Sequence, residues 1–176
     1  MRKQILITLA LLGLLGSPLL AAENFTFAVI DGEKLVSQSL AGKAASAELE
    51  SFRTAKQKEI DTKQDAILKL KESLEAKAAS LSEEARHEQE LKYQREMSDL
   101  NILVRDAQDE FKRKEASLMQ PVYKDLDTLI TKYAEDHKID LVLNRNNPGV
   151  IHASARMDVT DAILKEFDGG YKPKGK

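Results

Sequence analysis

The sequence predicts a mainly α fold with a small β body (α+β), in which a long antiparallel coiled-coil hairpin arm projects from a small sheet-containing body. Three observations carry this. Ile60, Lys63, Ile67, Leu70, Leu74, Lys77 and Leu81 follow alternating spacings of three and four residues, and Tyr93, Met97, Leu100, Val104, Ala107, Phe111, Lys114 and Leu118 follow the same rule. Such spacing draws one narrow stripe along a helix, as a coiled-coil seam requires. The two stripes also mirror each other. Ile67 with Met97, Leu70 with Tyr93, Ile60 with Val104, Phe52 with Phe111 and Ala45 with Leu118 have position numbers that add to 163 or 164, which is one antiparallel register. Finally, the strand-like runs lie near the two ends of the chain, where only a hairpin can bring them together.

Residues 1–22 have the plan of a secretory signal peptide: Arg2 and Lys3, an apolar run from Ile5 to Leu15, then Gly16-Ser17-Pro18 and small residues at Ala21-Ala22. Cleavage after Ala22 is expected, with Leu20 a departure from the preference for a small residue three positions back. The run is short for an anchor, because spanning a bilayer takes about 20 apolar residues. The chain has no cysteine, so it offers no acceptor for a lipoprotein acyl chain, no disulfide and no thiolate site. A soluble protein outside the cytoplasm is the expectation.

The body is expected over 23–40 and 121–176. Phe25 to Asp31 reads as a strand in which Phe25, Phe27 and Val29 alternate with Thr26, Ala28 and Ile30. Asp31 then caps a short helix over Gly32 to Ser37, and Ser39 or the Ala41-Gly42 region starts the arm.

The arm is expected over 41–120, a stretch with no proline and one glycine. Its tip falls near 79–84, where Ser80 or Ser82 can cap the second helix and Glu83 and Glu84 suit its positive N-terminal end. The alternative is one uninterrupted helix in a two-stranded rod; the shared register and the capping signal both favour the hairpin. Pro121 lies within a helical pattern that continues through Leu126, Leu129, Ile130 and Tyr133. It removes the hydrogen bond to the Ser117 carbonyl and crowds it, so a kink is predicted at this joint between arm and body.

Beyond the joint, Ile139 to Leu143 reads as a second strand and Val150 to Ser154 as a third, joined by the turn-rich Asn144 to Gly149. Thr160 is the expected N-cap of a last helix, Ala162 to Phe167, which Gly169-Gly170 ends. Val29, Leu141, Val142, Leu143 and Ile151 are the body residues expected to pack or associate. Two or three short strands make a marginal sheet alone, so oligomerisation through the body is the natural remedy.

The formal net charge is −2, and losing residues 1–22 removes two of the 27 basic residues and none of the 29 acidic ones, leaving −4. This excludes the net basic field that would hold nucleic acid. Lys112-Arg113-Lys114 and the tail lysines Lys172, Lys174 and Lys176 read as solvated surface, with weak contact to anionic envelope lipid as the alternative. His87, His137 and His152 are scattered, and no His-x-x-x-His pair, glycine-rich phosphate loop or Gly-x-Ser-x-Gly elbow occurs. Carboxylate pairs such as Glu83-Glu84 and Asp109-Glu110 fall on solvated helix, away from any pocket that would shift them toward acid or base work. The expectation is no enzyme: no catalytic residue, no cofactor and no metal.

Several segments, taken in order, carry a family resemblance. They are the signal peptide, Phe27-Ala28-Val29-Ile30-Asp31, Leu40-Ala41-Gly42-Lys43-Ala44-Ala45, Leu81-Ser82-Glu83-Glu84, Leu118-Met119-Gln120-Pro121-Val122, Asp140-Leu141-Val142-Leu143-Asn144-Arg145 and Met157-Asp158-Val159-Thr160. Together they resemble the Skp (OmpH-like) family of periplasmic chaperones for outer-membrane proteins. The resemblance implies a homotrimer joined through its bodies, with three arms around a cavity that holds unfolded outer-membrane proteins without ATP. It also implies a periplasmic location. Well-known members are strongly basic, and the acidic mature charge of this chain sets it apart from them.

Two features bear on how such an arm would bind. Lys63, Lys77 and Lys114 dilute the seam, and their stems can cover apolar surface while their heads reach water. They are either tolerated imperfections or a source of softness that lets arms bend around clients of different size. Ile102 points nearly opposite to Leu100, Val104 and Ala107, with Leu68 and Leu103 on the flanks. These three are the candidate client contacts, against the plainer reading of single exposed apolar residues. The competing function is a coiled-coil spacer or scaffold of the cell envelope, which should carry a fully apolar seam and a patch for one fixed partner.

Overall fold

The computed structural model describes residues 25–77 and 79–172; the expected signal peptide and residues 173–176 lie outside them. In chain order the elements are β1 (Phe27–Ile30), α1 (Gly32–Gln38), α2 (Leu40–Lys77), α3 (Glu83–Asp136), β2 (Leu141–Asn144), a 3-10 turn (Ala155–Met157) and α4 (Thr160–Gly170). The fold is the predicted one, a helical hairpin on a small sheet. At about 1.5 Å per residue, the 38 residues of α2 make an arm roughly 57 Å long. Its 54-residue partner α3 runs back past the arm root into the body.

Each helix start has a local cause. The Asp31 side chain accepts from the Lys34 N–H at 2.9 Å and caps α1. Ser82 is the cap at the tip, its Oγ accepting from the Ala85 N–H at 3.2 Å, with Glu83 and Glu84 in the first turn. The α1–α2 junction is a tight corner around the fully buried Ser39, whose Oγ accepts from Gly42 N–H at 3.1 Å and donates to the Val36 carbonyl at 3.2 Å. A Cβ on Gly42 would stand 1.7 Å from that carbonyl oxygen, so this corner requires glycine.

β1 and β2 pair in parallel, with Phe27 opposite Leu141 and Ile30 opposite Asn144. The alternation expected along the first strand is not observed: Ala28, Val29 and Ile30 are all buried in succession. The strand is enclosed by the helical core and along its second edge. Ile30 joins the helical core, while the Asp158–Val159 segment bridges to Val29, with Val159 N–H donating to the Val29 carbonyl at 3.0 Å.

The predicted third strand, Val150 to Ser154, does not form, and Ile151 is 97% exposed. Two successive turns steer the chain off a hairpin path, Asn147 N–H donating to the Asn144 carbonyl at 3.0 Å and Val150 N–H to the Asn147 carbonyl at 2.9 Å. The last helix also differs from expectation. It begins at Thr160, with Val159 at the cap position, and continues through both glycines to Gly170. Thr160 cannot serve as the cap because its hydroxyl is committed to a buried network described below. Helix α3 runs on through Pro121, and Val122, one residue later, is already in the core.

The core sits at the root of the arm. Ile30, Leu35, Ala45, Val122, Leu126 and Ile163 form one buried cluster, drawn from β1 and all four helices. Val142 of β2 and Leu118 and Met119 of α3 pack against it, so apolar packing passes from body to arm root without a gap.

Candidate functional site

Along the arm, Ile67, Leu100 and Ala107 are buried, and Ile60, Leu70, Leu74, Met97, Val104 and Phe111 are half-buried between the helices. The polar positions of the same strip are paired. Lys63 Nζ donates to Glu96 of the facing helix and lies 4.0 Å from Asp99. Lys114 Nζ reaches Glu48 at 2.5 Å, and Lys56 Nζ reaches Glu110 at 2.8 Å while lying 5.8 Å from the Phe52 ring centroid. The hydrogen bond between Lys63 and Glu96 raises the lysine pKa and lowers that of the carboxyl, and the bond between Lys56 and Glu110 does the same.

Lys77 differs from the other seam lysines. It is exposed at the end of α2, and Arg86 and Glu90 near the tip lie 3.6 Å apart as an i,i+4 pair on α3. Position near the tip, not charge, explains this: the helices end before Lys77 can be enclosed.

Of the candidate client contacts, Leu68 (54%) and Ile102 (44%) are exposed, and Leu103 is half-buried. Leu91 is a further exposed apolar residue that sequence reasoning passed over. It lies eleven residues before Ile102, about three helical turns, so the two share the face of α3 turned away from α2. That spacing is the sequence signal that marks Leu91.

The body holds a second kind of site. Asp158 Oδ1 accepts from the Thr160 N–H at 2.9 Å and the Thr160 hydroxyl at 2.5 Å, and Oδ2 accepts from Arg145 Nη1 at 2.9 Å. The Thr160 hydroxyl in turn accepts from the Asp31 N–H at 2.8 Å, inside the body where Thr160 is 2% exposed. Hydrogen bonding to Thr160 is the main cause that holds the Asp158 carboxyl below the usual aspartate range, with Arg145 and Lys34 adding to it and burial opposing it. Asn144 Oδ1 accepts from the N–H groups of Gly32 and Asn146. Asp168 Oδ1 accepts from the Leu40 N–H at 2.8 Å, which caps the start of the arm. Four parts of the chain far apart in sequence are thus clasped at the arm root.

The outer side of the sheet is the third feature. Phe25, Phe27, Leu141 and Leu143 are all exposed apolar residues on or beside the two-stranded ribbon, and Val142 is turned inward. Val29, placed with them from sequence, is only 1% exposed, and the Asp158–Val159 segment pairs with the edge of β1 at this residue. Among the described residues, β2 pairs with β1 alone, which leaves its other edge open.

No group of three or more His, Cys, Asp or Glu among the described residues is placed to hold a metal ion. No described helix is long and apolar enough to cross a membrane.

The model of the family described as outer membrane protein (OmpH-like) matches residues 26–167. An uncharacterised protein of Aquifex aeolicus (strain VF5) is 31% identical over 152 residues, covering 85% of this chain and 91% of that protein. The fold is shared with a solved OmpH-like protein from Caulobacter crescentus CB15, a candidate outer membrane chaperone, at a TM-score of 0.76 and 24% identity over 86% of this chain and 89% of that one. The family match takes in both strands, the whole arm and most of α4, and on that extent the chain belongs to the OmpH-like family.

Proposed function

We propose that this protein is an ATP-independent periplasmic holdase chaperone, which keeps unfolded outer-membrane proteins from aggregating in a cavity between the arms of a homotrimer. The observation that carries the proposal is the arm itself: a hairpin roughly 57 Å long, built on a narrow and partly ionic seam, that projects from a body too small to enclose a client. The description of the Caulobacter crescentus protein as a candidate outer membrane chaperone agrees with it.

The homotrimer rests on the body. The open edge of β2 and the exposed Phe27, Leu141 and Leu143 form an apolar strip that a monomer leaves in water, and such an edge is a template for strand pairing. Ile151, displaced from the sheet and bare, is available to the same contact. Residues 23–40 and 121–176 are assigned to this body, and 41–120 to the arm. Leu68, Leu91, Ile102 and Leu103 are assigned to client contact, as weak apolar points spread along the arms.

The test is a holding assay. The mature chain should run at about three times its mass in light scattering and stop a β-barrel protein from aggregating on dilution from urea, with no nucleotide or metal. A chain with 60–104 replaced by a short loop should keep its trimer and lose the holding activity. Retained activity would place client binding on the body and refute the cavity.

A further inference from the structure

We propose that Asp168 of α4 is the latch of a hinge at the root of the arm, and that its hydrogen bond to the Leu40 N–H fixes the direction in which the arm leaves the body. The hinge lies at one level in both helices. The register that sets Ala45 beside Leu118 brings Gly42 of α2 level with Pro121 of α3. Pro121 has no N–H, so the Ser117 carbonyl lacks its intrahelical donor there. Across from it α2 has only just begun, and its first N–H groups have no carbonyl one turn back to bond. The hydrogen-bond ladders of both helices are thus interrupted where arm meets body.

At this level α2 is held by few bonds. The Ser39 carbonyl accepts from the Lys43 N–H at 2.9 Å and its Oγ from the Gly42 N–H at 3.1 Å. Both belong to the corner itself and turn with it. The Leu40 N–H is different, because its acceptor, Asp168 Oδ1 at 2.8 Å, belongs to another element 128 residues away. That element is a firm post: Ile163 of α4 has no exposed surface, and Thr160 is tied into the network with Asp31 and Asp158. A carboxylate also suits the positive end of a helix of 38 residues.

The bond is one that can open. It lies at an exposed position, with Leu40 itself 48% exposed, so water can take the place of the carboxylate and no buried donor is left unpaired. The lever is long. A tilt of about 10° at the root carries the tip of an arm roughly 57 Å long through about 10 Å. In the assembly proposed above, Asp168 would set how far the arms stand apart; within one chain it acts whether or not copies associate.

The chain has no cysteine, so spin labels can be placed at two exposed positions, one on α4 (Lys165→Cys) and one near the tip (His87→Cys). Labelled chain diluted in excess unlabelled chain gives the distance within one molecule by double electron–electron resonance. Asp168→Ala should widen that distance distribution at least twofold and speed exchange of the Leu40 amide at least tenfold, with the amides at 163–167 protected as in the parent. Asp168→Asn keeps an acceptor and should behave as the parent does. Pro121→Ala, which restores the α3 ladder, should narrow the distribution of Asp168→Ala again. An unchanged distribution in Asp168→Ala overturns the proposal. So does faster exchange throughout α4, which would make Asp168 a support of the body and not a latch on the arm.

Discussion

Replacing Asp158 with alanine should cost the body about 3 kcal/mol at neutral pH. The carboxylate accepts two hydrogen bonds from Thr160 and one from Arg145. A hydrogen bond to a charged group contributes about 1.5–3 kcal/mol, and a buried donor left unpaired costs about 1–3 kcal/mol. Thr160 is 2% exposed, so its hydroxyl cannot turn to water when the carboxylate is removed. The Arg145 side chain is 44% exposed, and its ion pair adds less than about 1 kcal/mol. Since whole domains are stable by only about 5–15 kcal/mol, such a loss is easily seen in urea or thermal unfolding.

The same group predicts a pH dependence of known sign. Its folded pKa is depressed, chiefly by Thr160. The stability it contributes is therefore complete above the ordinary aspartate range and is lost as pH falls through the folded value. Asp158→Ala should lie below the parent at pH 7 and approach it as the pH drops toward 2. Asp158→Asn, which keeps an acceptor for Thr160 but not the charge, should fall between them. If Asp158→Ala matches the parent at pH 7, or if the gap between them stays constant down to pH 2, the clasp does not hold the body together as argued.

Two further outcomes test the arm and the sheet separately. Leu100→Ala truncates a side chain buried in the middle of the seam and should cost about 2 kcal/mol, the low end for a buried leucine; the loss should show in hydrogen exchange of the arm while the amides of α4 keep their protection. Leu143→Asp places a charge on the exposed strip beside the open edge of β2. It should leave the monomer fold intact by circular dichroism and reduce the mass in light scattering toward that of one chain.

How much could be read from the chain beforehand depended on the range of the forces involved. The hairpin was legible because a period of three and four needs only neighbours on one helix, and because Ile67, Leu100 and Phe111 obey a register that the tip imposes. Caps at Asp31 and Ser82 were legible for the same reason: donor and acceptor are three residues apart. The parallel pairing of β1 with β2 was not, since it joins residues 114 positions apart and no local signal sets its direction. Val150 to Ser154 misled because its residues suit a strand while two successive turns between Asn144 and Val150 carry them away from the open edge of β2. Thr160 looked like a cap from its position before a helix, and only the distant Asp31 N–H shows why its hydroxyl is used elsewhere. The family segments Met157-Asp158-Val159-Thr160 and Asn144-Arg145 therefore find their physical reason in one network that no single stretch of sequence contains.

The seam lysines act as ionic clips between the two helices of the arm. Lys63 and Lys114 each hold a carboxylate across the hairpin, so they fix register instead of merely diluting the seam. Partly exposed pairs of this kind contribute little net stability and weaken with salt. What remains is apolar burial, and it is unevenly placed: the core cluster stands at the root, while Ile67, Leu100 and Ala107 are the buried side chains described farther out. Local opening should therefore become easier toward the tip, with the body still closed. Hydrogen exchange should show protection falling outward from the root, and 1 M salt should steepen that gradient by shortening the screening length to about 3 Å. Lys63→Leu exchanges an ion pair for apolar contact, so it should flatten the salt response around residue 63 and its partners at 96–100. A profile uniform from root to tip, or one indifferent to salt in both proteins, would mean that the arm opens as a single unit and that the ionic clips have no part in its compliance.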